Sequence, residues 1–150
     1  MTATGHAIIG TVIAARIGNP YLAIPIALLS HLAADASPHW DTGTNWKKKS
    51  WRHTFIQSFV DVCISLILPY FLTVWLFPAT DIGYLYLIIF CAQFFDWATA
   101  PYFFFKMKFP PFSWAAAIQM PVDNKLDKPW GVIVQAGILI TLLVVAKLTY

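Results

Sequence analysis

The chain has 150 residues, of which 59% are hydrophobic and only 11% charged, with a formal net charge of +3. A soluble domain carries about 25% charged residues, so this chain has too few to cover a water-facing surface, which excludes an ordinary soluble globular domain. Beyond one short lysine run nothing supports a nucleic-acid partner, and none is expected. Aromatics make up 17% of the chain, many near the ends of apolar runs, as suits Trp and Tyr at headgroup level. Cys63 and Cys91 lie inside apolar runs without CxxC spacing and read as small buried hydrophobes. The N-terminus has neither a basic region nor a small-residue cleavage site, so no removable signal peptide is expected.

The first apolar stretch, Ala7 to Ala34, is interrupted by Gly18-Asn19-Pro20, a strong turn signal. The part before the break is too short to cross the roughly 30 Å hydrocarbon core upright. It predicts a short tilted or re-entrant helix. Tyr21 to Ala36 is closer to a full span, and Pro38 biases Ser37 out of the helix. A polar loop from Asp41 to Ser50 follows, with Ser50 placed to cap a helix over 51–77 that contains Pro69. Residues 78–83 form a turn, 84–105 a further span, 112–120 a short interfacial helix and 130–146 a last span. The expected fold is an all-α polytopic bundle: one integral membrane domain over 1–150, with about four to five membrane helices including the short N-terminal one. Gly10 with Ala14, and Ala23 with Ala27, are small residues at helical spacing, which permits close helix approach.

Eight of the ten basic residues fall in two loops: Lys47, Lys48, Lys49 and Arg52 in one, Lys106, Lys108, Lys125 and Lys128 in the other. Both loops lie on the same side if 51–77 and 84–105 form a hairpin. The excess of Lys and Arg then predicts a multi-pass protein of the cell (inner) membrane with both loops cytoplasmic. The lysine run is placed to meet anionic membrane lipids.

All four histidines, His6, His31, His39 and His53, precede residue 54. His31 and Asp35 are four apart and share a helix face. His39 and Asp41 follow just past that helix, the next carries His53, Gln57 and Asp61, and the one after carries Gln93 and Asp96. A rise of 1.5 Å per residue puts Asp61 roughly 12 Å from His53, Asp96 roughly 14 Å from Phe105 and His31 roughly 9 Å from Ser37. His31, Asp61 and Asp96 are therefore expected at similar depth below the basic face, with His39, Asp41 and His53 at the mouth. A charged carboxylate in a membrane helix costs at least about 2.5–3.5 kcal/mol and is functional by default. With no Lys or Arg at that depth, the Asp residues must be protonated, paired with protonated His, or bound to a cation. Imidazole and carboxylate suit a divalent Zn, Mn or Fe ion. Plainer roles exist for single members: an interfacial His6 or His53, a turn for Asp41, a hydrogen-bonded His31–Asp35 pair. Gln57 and Gln93 read as hydrogen-bond links between helices.

Three stretches, Gly5-His6, Asp35 through His39-Trp40-Asp41, and Arg52-His53-Thr54, resemble a family of small bacterial and archaeal inner-membrane proteins described as membrane-bound metal-dependent hydrolases. The resemblance covers roughly the first 60 residues. The family's Pro-Asp-x-Asp-His is replaced here by Asp35-Ala36-Ser37-Pro38-His39-Trp40-Asp41, and its His-Arg-Gly-Phe-Thr-His-Ser is reduced to Arg52-His53-Thr54. The His-x-x-x-Asp step is also similar to zinc-dependent phospholipase C and related nucleases. The resemblance implies a hydrolase at the cytoplasmic membrane surface, acting on a phospholipid or another phosphoester. His6, His31, Asp35, His39, Asp41, His53, Asp61 and Asp96 would share one or two metal ions, and an unligated carboxylate, Asp35 or Asp61, would be the base. Two alternatives use the same residues: a divalent-cation or proton transporter with the Asp residues as a relay, and a metal-stabilised membrane scaffold without turnover.

Overall fold

The computed structural model describes residues 1–150 and is all-helical. In chain order the α-helices are α1 (Ala3–Arg16), α2 (Pro20–Ala36), α3 (Trp51–Leu76), α4 (Ile82–Ala92), α5 (Phe94–Phe104), α6 (Phe112–Gln119) and α7 (Trp130–Leu148), with a short 3-10 turn at Trp46–Lys48. The helix starts follow local chemistry. The Asn19 side chain accepts from the Tyr21 amide at 2.9 Å, with Pro20 at the first helical position, where its missing N–H costs nothing. Ser50 Oγ accepts from the His53 amide at 3.2 Å, and Asp81 from the Tyr84 amide at 2.7 Å. Each satisfies a donor that has no partner inside its own helix.

Two helices, α3 with 26 residues and α7 with 19, are long and apolar enough to cross a membrane, and α4 with α5 makes a third as a pair bent by 49°. Of the four to five membrane helices expected, the remaining two, α1 and α2, are shorter: 14 and 17 residues. The 84–105 segment expected as one span is broken at Gln93, where no Gly or Pro marks the sequence. Instead the Gln93 amide is drawn off the helix: its Nε2 donates to the Ala3 carbonyl and to Ser65 Oγ, both at 2.8 Å. This ties α4, α1 and α3 together, as hydrogen bonding between helices does in membrane bundles.

α1 lies in the middle, packed against α2, α3, α4 and α7. Its residues Ile8, Ile9 and Ile13 meet Leu85, Ile88, Ile89 and Leu139 in the apolar core. Gly10 makes the approach of α1 to α4 possible, since a Cβ there would stand 3.1 Å from Ile89 Cα and 3.2 Å from Ala92 Cβ. Ala14, Ala23 and Ala27 are buried in the same core. The outer faces of α3 and α7 stay apolar and exposed, with Phe59, Ile67, Phe71 and Trp75 on one and Ile133, Ile140 and Val144 on the other. This is the surface a lipid environment covers.

The two basic loops meet at one end of the bundle. His39 donates its amide to the Asn124 carbonyl at 3.2 Å and accepts from the Leu126 amide at 2.7 Å, while the Asn124 amide donates to the Asp35 carbonyl at 2.8 Å. Gly131, at the start of α7, admits this closure. A Cβ there would fall 2.1 Å from the Leu126 carbonyl oxygen and 2.8 Å from the Trp40 nitrogen.

Candidate metal centre

At the loop end of the bundle four helices bring buried polar groups together. His6 comes from α1, His31 and Asp35 from α2, Asp96 from α5 and Gln119 from α6. His6, His31 and Asp35 are essentially inaccessible to solvent. His6 Nε2 lies 3.2 Å from Asp35 Oδ1 and 4.0 Å from Asp96 Oδ2. His31 Nε2 lies 3.3 Å from Asp35 Oδ2 and 3.7 Å from Asp96 Oδ1. The two imidazoles stack, with centroids 3.8 Å apart and planes 10° from parallel. Ligand atoms on a tetrahedral ion with bonds of about 2.1 Å are about 3.4 Å apart, so His6, His31 and Asp35 have metal-ligand spacing.

Two features sharpen the electrostatics. His31 Nδ1 lies 2.7 Å from the Ala92 carbonyl. A carbonyl only accepts, so Nδ1 carries the proton and, in the neutral ring, Nε2 presents a lone pair to the carboxylates. That is how protein groups orient a metal-binding imidazole. The Ala92 carbonyl is free for this because α4 stops there, in the last turn where intrahelical partners run out. His6 Nε2, in turn, is buried with no hydrogen-bond partner despite its nearness to Asp35. Buried polar atoms are rarely left so.

Gln119 closes the cluster from above. Its Nε2 stands 3.0 Å from Asp35 Oδ2, 3.1 Å from His31 Nε2 and 3.3 Å from Asp96 Oδ1, and its Oε1 accepts from Thr99 at 3.0 Å. Two amide hydrogens thus face three acceptors. The Met1 α-amine also contacts Asp35. At the mouth, Lys125 Nζ bridges Asp41 Oδ2 at 2.8 Å and Asp123 Oδ2 at 3.1 Å. With all ionised, the four carboxylates Asp35, Asp41, Asp96 and Asp123 face two ammonium groups, Met1 and Lys125. The excess negative charge, largely shielded from water, is met by a proton on a carboxylate or an imidazole or by a further cation.

The remaining sequence candidates are placed differently. Asp61 does not join the cluster. Its Oδ2 accepts from the Ala3 amide at 2.7 Å, and its Oδ1 from the Thr4 amide at 3.2 Å and the Thr4 hydroxyl at 2.6 Å. It therefore anchors the N-terminus of α1, where unpaired N–H groups and the helix dipole favour an anion. The shared depth expected for Asp61 and His31 does not bring them together, because α1 lies against α3 and takes the carboxylate first. His53 is exposed on the first turn of α3, outside both groups of metal-ligand spacing. Asp41 belongs to its turn, accepting from Thr44 Oγ1 at 2.8 Å, and to Lys125. Gln57 Oε1 is buried without a partner and links no helices.

Asp123, Lys125 and Gln119 are the residues that sequence reasoning missed. The only trace of the first two is the polar run Asp123-Asn124-Lys125 between apolar helices; Gln119 left no trace beyond being polar in an apolar segment. Burial pushes the Asp123 carboxyl up, but the adjacent His39 ring and the Lys125 ammonium outweigh it and hold it below the usual range. Burial likewise pushes the Lys125 ammonium down, but Asp41 and Asp123 carry it above the ordinary lysine range.

The fold and the cluster define a helical bundle with a few membrane helices and a buried His/Asp group that could hold a metal ion. Comparison with family models, curated proteins and solved structures finds no match to the chain.

Proposed function

We propose that the chain is a membrane-bound metal-dependent hydrolase that cleaves a phosphoester, on a lipid or a lipid-linked molecule, at the cytoplasmic face of the cell membrane. The observation that carries this reading is the convergence of His6, His31 and Asp35, with the His31 ring turned toward the carboxylate by the Ala92 carbonyl. When bound, a divalent ion such as Zn²⁺ or Mn²⁺ supplies Lewis acidity and lowers the pKa of water. His6, His31 and Asp35 would hold the ion. The Asp96 side chain, 32% exposed, is the carboxylate of the cluster that solvent reaches best. It is placed to take the proton of the attacking water as general base. Gln119 holds Asp96 and Asp35 in register.

A positive rim supports an anionic substrate. Lys128 Nζ sits 4.0 Å from the centre of the Trp40 ring and Lys49 Nζ 5.5 Å from it, beside the loops that close the cluster. The excess of Lys and Arg at this end supports a cytoplasmic side for it. Transport is disfavoured by the core beneath. Ile8, Ile9, Ile13, Leu85, Ile88 and Ile89 fill the bundle below the cluster, and no Asp, Glu, His, Lys or Arg lies among them.

The test uses purified protein in lipid vesicles with added Zn²⁺ or Mn²⁺, phospholipid and nitrophenyl phosphodiester substrates, and metal analysis of the same samples. Wild type is expected to bind metal and release product. His31→Ala loses both, and Asp96→Asn keeps the metal and loses turnover. Metal content unchanged by His31→Ala would overturn the site, and bound metal without phosphoester cleavage would overturn the reaction.

A further inference from the structure

A second group lies beside the first. His39, just past the end of α2, and Asp123, in the loop before α7, face Asp35 from the other side. His39 Nε2 is 3.2 Å from Asp123 Oδ1 and 4.0 Å from Asp35 Oδ1. The three ligand atoms again lie within 4.8 Å of one another.

The hydrogen bonding around this group is incomplete in a specific way. His39 Nδ1 lies 2.8 Å from the Ser37 carbonyl and must donate to it, so in the neutral ring Nε2 presents a lone pair. Both His39 Nε2 and Asp123 Oδ1 are buried with no hydrogen-bond partner, although they stand 3.2 Å apart. Two electron-rich atoms facing each other out of water repel unless a proton or a metal ion lies between them. The other oxygen of Asp123 is already held by Lys125 at 3.1 Å, which fixes the direction of Oδ1. His39 itself is fully buried and its backbone is clamped to the 121–129 loop at both its N–H and its C=O. The placement is therefore fixed by two separate chain segments.

We infer that Asp35, His39 and Asp123 form a second divalent-metal site, joined to the first through the Asp35 carboxylate, so that the centre is dinuclear. This rests on the reading of His6, His31 and Asp35 as the first site. Asp35 Oδ1 is the shared element, lying within 4.0 Å of both His6 Nε2 and His39 Nε2, and an ion there takes the place of the Met1 α-amine that contacts the same oxygen. A carboxylate common to two ligand groups suits ions about 3.5–4 Å apart, the spacing of two-metal phosphoesterases. Imidazole with two carboxylates is a donor set for Mn²⁺, Fe²⁺ or Zn²⁺ rather than for a thiophilic ion.

The experiment is metal analysis and Mn²⁺ electron paramagnetic resonance on the full chain in detergent, stripped with chelator and reloaded. Wild type is expected to take up two ions per chain and to give the multiline spectrum of a spin-coupled pair. Asp123→Asn, which keeps the volume and the contact with Lys125, is expected to bind one ion and give an uncoupled six-line spectrum. His39→Gln should do the same. The wild-type spectrum is decisive without either variant. One ion and an uncoupled signal in wild type would overturn the second site and leave the first, with His39 and Asp123 then forming only an ion pair. Two ions in wild type and still two in both variants would also overturn it. No ion in wild type would remove the first site as well, and the second with it.

Discussion

Asp35 and Asp61 make an instructive pair. Both are carboxylates on apolar helices, and sequence reasoning treated them alike. In the structure Asp35 gathers two imidazole rings, a glutamine amide and the Met1 amine. Asp61 gathers two backbone amides and a hydroxyl at the start of α1. The first neighbourhood is rich in lone pairs and short of positive charge. The second is satisfied by N–H groups that any helix N-terminus offers. A membrane helix cannot leave a carboxylate unpaired, but the pairing need not be functional. The partner decides, and the partner comes from another segment.

The largest expected effect separates the two directly. Adding Zn²⁺ or Mn²⁺ at a hundred times the dissociation constant should stabilise wild type by about 2.7 kcal/mol. Asp35→Asn should abolish that shift, and Asp61→Asn should leave it in place. Melting curves in detergent with and without metal decide it, and equal shifts in both variants would dissolve the contrast. The next test removes the metal. In chelator, Asp61→Ala should lose about 1–2 kcal/mol, as expected when a charged acceptor of helix-start amides is deleted. Asp35→Asn removes negative charge but also strips the buried Met1 ammonium of its partner, so it should lose at least as much. A smaller effect tests the lid: Gln119→Ala should weaken metal binding about tenfold, as loss of a ligand-orienting partner does, read by titration with a fluorescent zinc indicator. The smallest is Gly10→Ala, where the added Cβ meets Ile89 Cα at 3.1 Å. An overpacking cost of about 1 kcal/mol is expected as a lower melting temperature, with the metal-induced shift preserved.

The helices were legible because apolar runs and breakers carry their own physics. Gly18-Asn19-Pro20 separates α1 from α2, Ser50 starts α3, and the 112–120 segment is α6 almost to the residue. The start of α1 at Ala3 rather than Ala7 was not legible. Thr4 and His6 are too polar for a lipid-facing helix, and only enclosure by neighbours makes them tolerable. The bend at Gln93 escaped because its cause is a long-range bond to Ala3 and Ser65 rather than a local breaker. In the site, His31 and Asp35 were visible as neighbours on one helix face. Asp123 and Gln119 were not, because loop closure through His39 and Asn124 has no periodicity to read.

The enclosure of α1 has a consequence for biogenesis. A 14-residue helix rises about 21 Å, short of a hydrocarbon core of about 30 Å, and its ligand His6 points into the bundle rather than outward. Such a segment gains little by partitioning into lipid alone. It reaches its place only when α2, α3, α4 and the last helix, α7, are present to surround it. During synthesis the His and Asp residues of the first two helices therefore wait, separated, until α7 has been made. Assembly of the cluster follows insertion of α7, and a nascent chain cut before α7 carries the histidines without the enclosure that brings them together.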